Sequence, residues 1–169
     1  CIRDRIFTKR IFPVLTPLAV DPSHPFPYIS GLSLNLAVLV KQPDTNEELF
    51  ARVKVPASLP RFIETAEFAS TRFIPLEKVI IANLHQLFPG MDIEDYYTFR
   101  ITRNADLELE EDESENLLES MEQELLRRKF GPPVRLEVAS DIDSDLLKRL
   151  KLELSISEED ISRYKEPLD

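Results

Sequence analysis

Two arginines offer the clearest means of holding an anion. Arg100 stands on the polar face of a predicted strand and Arg103 at its end, beside Asn104. A guanidinium at a strand end presents paired N–H donors that match phosphate oxygens two at a time. The competing expectation pairs either arginine with Asp106 or Glu108 nearby. The two histidines promise less. His24 sits between prolines in Pro22-Ser23-His24-Pro25, and His85 lies near the end of a predicted helix. A catalytic imidazole needs an orienting carboxylate and a substrate pocket, which the sequence does not display, so both are expected in structural or surface roles. Ser23 beside His24 lacks the G-x-S-x-G context of a strained nucleophile.

Other chemistries fail on residue type or spacing. Cys1 is the sole cysteine, so no intrachain disulfide can form, and Cys1, His24 and His85 cannot assemble a zinc cluster. Three isolated glycines, Gly31, Gly90 and Gly131, exclude both common phosphate-cradling glycine loops. Ten of the nineteen residues from Asp106 to Glu124 are acidic, which raises a divalent-metal site with oxygen ligands. No glycine-turned calcium loop is present, and the acids fit the outward face of a strand and the negatively charged start of a helix. No metal site is therefore expected.

The elements that would position these residues follow from periodicity and turn chemistry. Phe12 to Pro27 holds five prolines, which make an extended connector, and its Val14, Leu15, Leu18, Val20 and Phe26 imply that it lies on a surface. Runs 32–41 and 48–55 alternate around a polar loop and predict a hairpin, with Leu32, Leu34, Leu36, Val38 and Val40 facing the core. Runs 61–64 and 71–74 predict two short strands, and 76–88 a helix stopped by Phe88-Pro89-Gly90. Residues 97–102 and 107–110 predict strands meeting at a turn over 103–106. Glu113 to Lys129 gives the strongest helical pattern, with Asp112 as cap and Leu117, Leu118, Met121 and Leu125 in one stripe. A strand follows at 134–138, with Val134, Leu136 and Val138 inward, then an amphipathic helix over 140–154. The expected class is α+β: a two-layer sandwich, mostly antiparallel, with helices on one face of the sheet. One domain spans 1–169, comprising a proline-rich connector over 1–28, a core over 29–154 and a C-terminal segment over 155–169.

Composition sets the outer bounds. A chain of 169 residues with 43% hydrophobic and 31% charged residues suits one globular domain. No apolar run approaches the roughly 20 residues of a spanning helix. Residues 1–103 carry a net +1 and residues 104–169 a net −11. So acidic a second half repels phosphate backbones and makes nucleic acid a poor partner. Arg3, Arg5, Lys9 and Arg10 against Asp4 give the first ten residues a net +3, an edge suited to phosphate or to a neighbouring domain. A first residue that is not Met, with no signal-like segment, suggests a piece of a longer chain, and the single cysteine fits a reducing cytoplasmic setting.

Several long motifs occur in a recognisable order. FPVLTPLAVDPSHPFPYISGLSLNLAV (12–38), FARVKVP (50–56), LPRF (59–62), FIPLEKVI (73–80), LFPGM (87–91), FRITRNADLELEED (99–112) and RRKFGPPVRLEV (127–138) resemble the middle, or head, domain of the phosphohistidine type of bacterial polyphosphate kinase. The resemblance covers nearly the whole chain. Gly31 departs from it, since the resemblance implies Asn at that position in many relatives. The resemblance implies a parent enzyme that reversibly transfers the terminal phosphate of ATP to inorganic polyphosphate, using magnesium and a covalent phosphohistidine. It also implies catalytic histidines in two C-terminal domains, so the role passes to neither His24 nor His85. The implied partners are the other domains of the same chain and further copies in a dimer or tetramer, with polyphosphate as a candidate ligand. The implied setting is cytoplasmic, with association at the membrane as the alternative.

Three functions follow. The first is an architectural domain, inactive alone, with no cofactor of its own, that meets its neighbours through residues 12–27 and the basic first ten. The second is a polyphosphate-binding module using Arg100 and Arg103. The third is a metal-dependent hydrolase using Glu108 to Asp112.

Overall fold

A computed structural model describes residues 5–20, 25–67, 70–104, 131–165 and 167. Alternating apolar residues produce strands β1 (Pro17–Val20), β2 (Leu34–Lys41) and β3 (Glu48–Lys54), followed by β4 (Phe62–Glu67) and β5 (Ser70–Pro75). Pro75 then starts helix α1 (Leu76–Ile81), and a short helix α2 (Leu84–Leu87) continues it past Asn83. The long strand β6 (Asp92–Arg103) crosses the molecule, and β7 (Pro133–Ala139), helix α3 (Ser144–Leu154) and β8 (Ile161–Tyr164) complete the described elements.

Six strands form one sheet in the order β1-β3-β2-β6-β7-β8, and β4 with β5 forms a separate hairpin. All pairings are antiparallel except β7 with β8. The α+β class and the mostly antiparallel sheet are as the sequence predicts. The helices, however, divide between the two faces. Because successive strand residues point to opposite sides, Leu36, Val38 and Val40 of β2 meet Phe7, Ile11, Val79, Ile80 and Leu84 on one face. Ala37, Phe50, Phe99, Ile101, Leu136 and Val138 meet Leu146, Leu147, Leu150 and Leu154 of α3 on the other. The reason lies in β2, whose reverse side carries Ala37 and Leu39 and is apolar enough to need its own cover.

Several boundaries shift for local reasons. The connector contributes a helical turn, Phe7–Ile11, and strand β1, which pairs Val20 with Phe50 and Leu18 with Arg52. The C-terminal segment likewise joins the sheet, pairing Leu136 with Ile161. Leu32, predicted to face the core, is 71% exposed with φ +60°, because the chain turns there before β2 begins. Val134 is also exposed, lying beside the register shift at Thr102/Arg103 where the β6–β7 ladder loses regularity. The last helix begins at Ser144 because the Asp143 carboxylate accepts from the N–H groups of Asp145 and Leu146 at 2.9 and 3.0 Å. Those backbone bonds hold its pKa below the usual carboxylate value. Ser155 closes the helix in the left-handed conformation, φ +51°. The strand predicted at 107–110 and the helix predicted at 113–129 lie outside the described residues.

One ion pair anchors the β4–β5 hairpin to α1. Glu77 is 1% exposed, and Arg61 grips it with both terminal nitrogens, Nη2 to Oε1 at 2.8 Å. The Arg61 carbonyl also accepts from Leu76 N at 2.9 Å. Removing one partner strands a buried charge, which costs about 3–5 kcal/mol, whereas replacing both with apolar groups costs far less. Arg61→Ala is therefore expected to lower the unfolding free energy by about 3 kcal/mol or more in denaturant titrations. Arg61→Met combined with Glu77→Leu is expected to recover most of that loss.

Candidate functional site

Arg100 is committed to a carboxylate. Opposite it in the β6–β7 ladder stands Glu137, and the two side chains bond Nε to Oε2 at 2.7 Å and Nη2 to Oε1 at 3.1 Å. Donation from Arg100, with the further charge of Arg135, holds the Glu137 pKa below its ordinary value against the opposing effect of burial. Arg103 serves a different neighbourhood. Its Nε donates to the Ile29 carbonyl at 2.8 Å, its Nη1 to the Gly131 carbonyl at 3.0 Å, and its guanidinium lies 4.5 Å from the centre of the Tyr28 ring. Burial lowers its pKa, with Tyr28 opposing. The two predicted anion ligands thus hold separate partners. Asp106 and Glu108, the partners proposed for them, lie outside the described residues, as do Cys1, His24 and the whole acidic run from Asp106 to Glu124. His85 is exposed on α2.

Sequence reading passed over a second basic group. Arg52 and Lys54 occupy alternate positions of β3 and so share a face with Asn35 of β2, which pairs with Lys54 in the ladder. Arg52 is only 7% exposed, and its Nε donates to Asn35 Oδ1 at 2.9 Å. The fully buried Asn35 donates through Nδ2 to the Ser33 carbonyl at 2.8 Å and to Ser33 Oγ at 3.1 Å. Ser30 Oγ donates to Ser33 Oγ at 3.0 Å, and Lys54 Nζ donates to Ser30 Oγ at 3.0 Å. One polar network therefore runs from Arg52 through Asn35, Ser33 and Ser30 to Lys54. Burial lowers the Arg52 pKa, and no carboxylate among the described residues pairs with it. The available signal was the pattern of Phe50-Ala51-Arg52-Val53, which places a long cation where β3 is otherwise apolar.

Elsewhere the chemistry is sparse. A pocket of about 470 Å³ near β1 and α3 places Glu47, Glu48 and Glu153 with Arg149, a charge balance unsuited to an anion. Among the described residues no three His, Cys, Asp or Glu side chains converge to hold a metal ion.

A family model described as the polyphosphate kinase middle domain matches residues 2–169, essentially the whole chain. The chain belongs to the polyphosphate kinase middle-domain family. It is 57% identical over 164 residues to a polyphosphate kinase of Streptomyces coelicolor, covering 97% of this chain and 22% of that protein. A polyphosphate kinase of Aphanizomenon baltica is 57% identical over 168 residues, covering 94% of this chain and 43% of that one. In backbone, the chain matches the crystal structure of polyphosphate kinase from Porphyromonas gingivalis with a TM-score of 0.77 at 26% identity, covering 99% of this chain and 23% of that one. This polyphosphate kinase middle domain thus spans less than half the length of these relatives.

Two outcomes test the geometry. The Glu137 pKa is depressed on folding, so its contribution is fully present above its ordinary value of 4.5 and fades as pH falls through the lower folded value. Glu137→Gln is expected to cost roughly 1–3 kcal/mol at neutral pH, with the gap from the parent protein narrowing below pH 4.5 in denaturant midpoints. At Gly131 a Cβ would lie 1.8 Å from the Asn104 carbonyl oxygen. Gly131→Ala is therefore expected to push the two backbones apart, loosen Arg103 and cost more than about 1 kcal/mol in thermal unfolding.

Proposed function

We propose that this chain is the architectural middle domain of a polyphosphate kinase whose other domains transfer the terminal phosphate of ATP to polyphosphate through a phosphohistidine. ATP and magnesium enter with those domains, and the parent works in the cytoplasm as a dimer or tetramer. The observation that carries this reading is the match of a middle-domain family along residues 2–169 by a chain that spans only 22% of a relative. Two exposed apolar surfaces support a role in joining domains and copies. Phe12, Val14 and Leu18 line the outside of the proline-rich stretch. On the β4–β5 hairpin, Ile63 and Ile74 turn toward the core, while Phe62 and Phe73 stand on the opposite side and Phe73 is 63% exposed. Neighbouring large rings left in water beside a filled core suit a surface that another chain covers.

The purified chain given ATP, magnesium and a short polyphosphate is expected to lengthen no polyphosphate, and ATP-dependent lengthening would overturn the architectural reading. In an intact polyphosphate kinase carrying this domain, Phe62→Ser with Phe73→Ser is expected to lower the assembled mass in sedimentation. An unchanged mass would remove the hairpin from the assembly surface.

A further inference from the structure

We infer that the corner formed by Arg52, Lys54 and the Ser30–Ser33 turn is a binding site for a phosphate oxyanion. The inference goes beyond the architectural role and does not rest on it. It begins from an imbalance of charge. Arg61 with Glu77 and Arg100 with Glu137 are neutralised in two-pronged pairs, and Arg103 is held by two backbone carbonyls and the Tyr28 ring. Arg52 is more buried than any of these three, yet only its Nε is engaged, by a neutral amide. No carboxylate among the described residues pairs with Arg52 or Lys54. Taking a cation out of water without a counter-charge is costly, and a fold keeps such a group where an anion completes it.

The donors left over are not sealed from solvent. No side-chain nitrogen or oxygen among the described residues is both fully buried and without a partner, so the two terminal nitrogens of Arg52 reach the surface. Two positions along the same strand face, roughly 6–7 Å away along the backbone, stands the exposed Lys54 ammonium. Asn35 fixes the guanidinium from behind, and the Ser30 and Ser33 hydroxyls hold the ammonium end. Both cations are thus held in place before any ligand arrives, which reduces the ordering cost of binding. A rigid fork and a point charge on one strand face match a tetrahedral anion of charge near −2, and a planar carboxylate would leave part of that pair unused. The ligand is either a single orthophosphate or a phosphate group within a chain.

Calorimetric titration of the purified chain with orthophosphate and with tripolyphosphate, without magnesium and at low and moderate salt, tests the site. Tripolyphosphate is expected to bind and to weaken as salt rises. Arg52→Ala and Lys54→Ala are each expected to lose at least tenfold in affinity, while Lys148→Ala, on the far surface of α3, changes nothing. If Arg52→Ala does not fold, Arg52→Lys and Ser30→Ala, which keep the charge and the size of the corner, carry the same comparison. Equal affinity for both anions supports the site and assigns it to a single phosphate group. Absence of binding to either anion would overturn it. So would binding that survives Lys54→Ala and Arg52→Lys but vanishes when Arg5, Lys9 and Arg10 become alanine. The readout is binding and never turnover, so its failure leaves the architectural role intact.

Discussion

Strand β2 is buried on both sides, and that one constraint organises the molecule. Leu36, Val38 and Val40 face one way and Ala37 the other, all shielded from water. Its edges are also taken, by β3 and by β6. A strand in that position must be central, because each neighbour removes a row of backbone groups from solvent and each helix layer removes a face. The layers are then assigned by what remains. Phe7 and Ile11 with the helices after β5 close one face, and α3 closes the other together with Phe26 and Ile29 from the chain before β2. Phe99 and Ile101 of β6 extend the second layer outward to β7, where Leu136 and Val138 complete it against α3.

Polar groups enter this frame only where their charges are met or anchored. Glu77 sits within the first core because Arg61 reaches it with two nitrogens. Glu137 sits in the β6–β7 ladder because Arg100 does the same from the adjacent strand. Arg103 leans on backbone carbonyls and a tyrosine ring instead. Arg52 has fewer partners still, since among the described residues one amide oxygen accepts from it and no carboxylate pairs with it. The burial that stabilises the sheet thereby also removes the solvent that would otherwise screen the Arg52 cation, which strengthens its pull on any anion at the surface.

Most of the architecture was legible because it rests on local signals. The β2–β3 hairpin, the strands β4 and β5, and β7 each follow from alternation or turn chemistry within a short window. What escaped depends on distant residues. Leu32 continues the apolar alternation by type, but its amide donates to the Ile101 carbonyl at 2.8 Å, which holds it in a turn. The second layer escaped because Ala37 is small and its face looked only partly apolar. Arg100 was legible as a residue of interest, but its partner lies 37 positions away, beyond reach of any local pattern. Arg52 was hidden for the same reason: Asn35 gives it meaning, and only the register of β2 with β3 brings them together. The family itself was legible from long motifs in order, which carry more information than any single spacing.

Asn104 N donates to the Pro132 carbonyl at 2.9 Å, and Gly131 allows the two backbones to lie almost in contact. The chain thus leaves β6 and re-enters at β7 through a single gate that is fastened by its own hydrogen bond and by Arg103. The ends of the two strands are thereby fixed against each other by contacts of their own, so one glycine, one amide and one guanidinium set where the β6–β7 ladder closes.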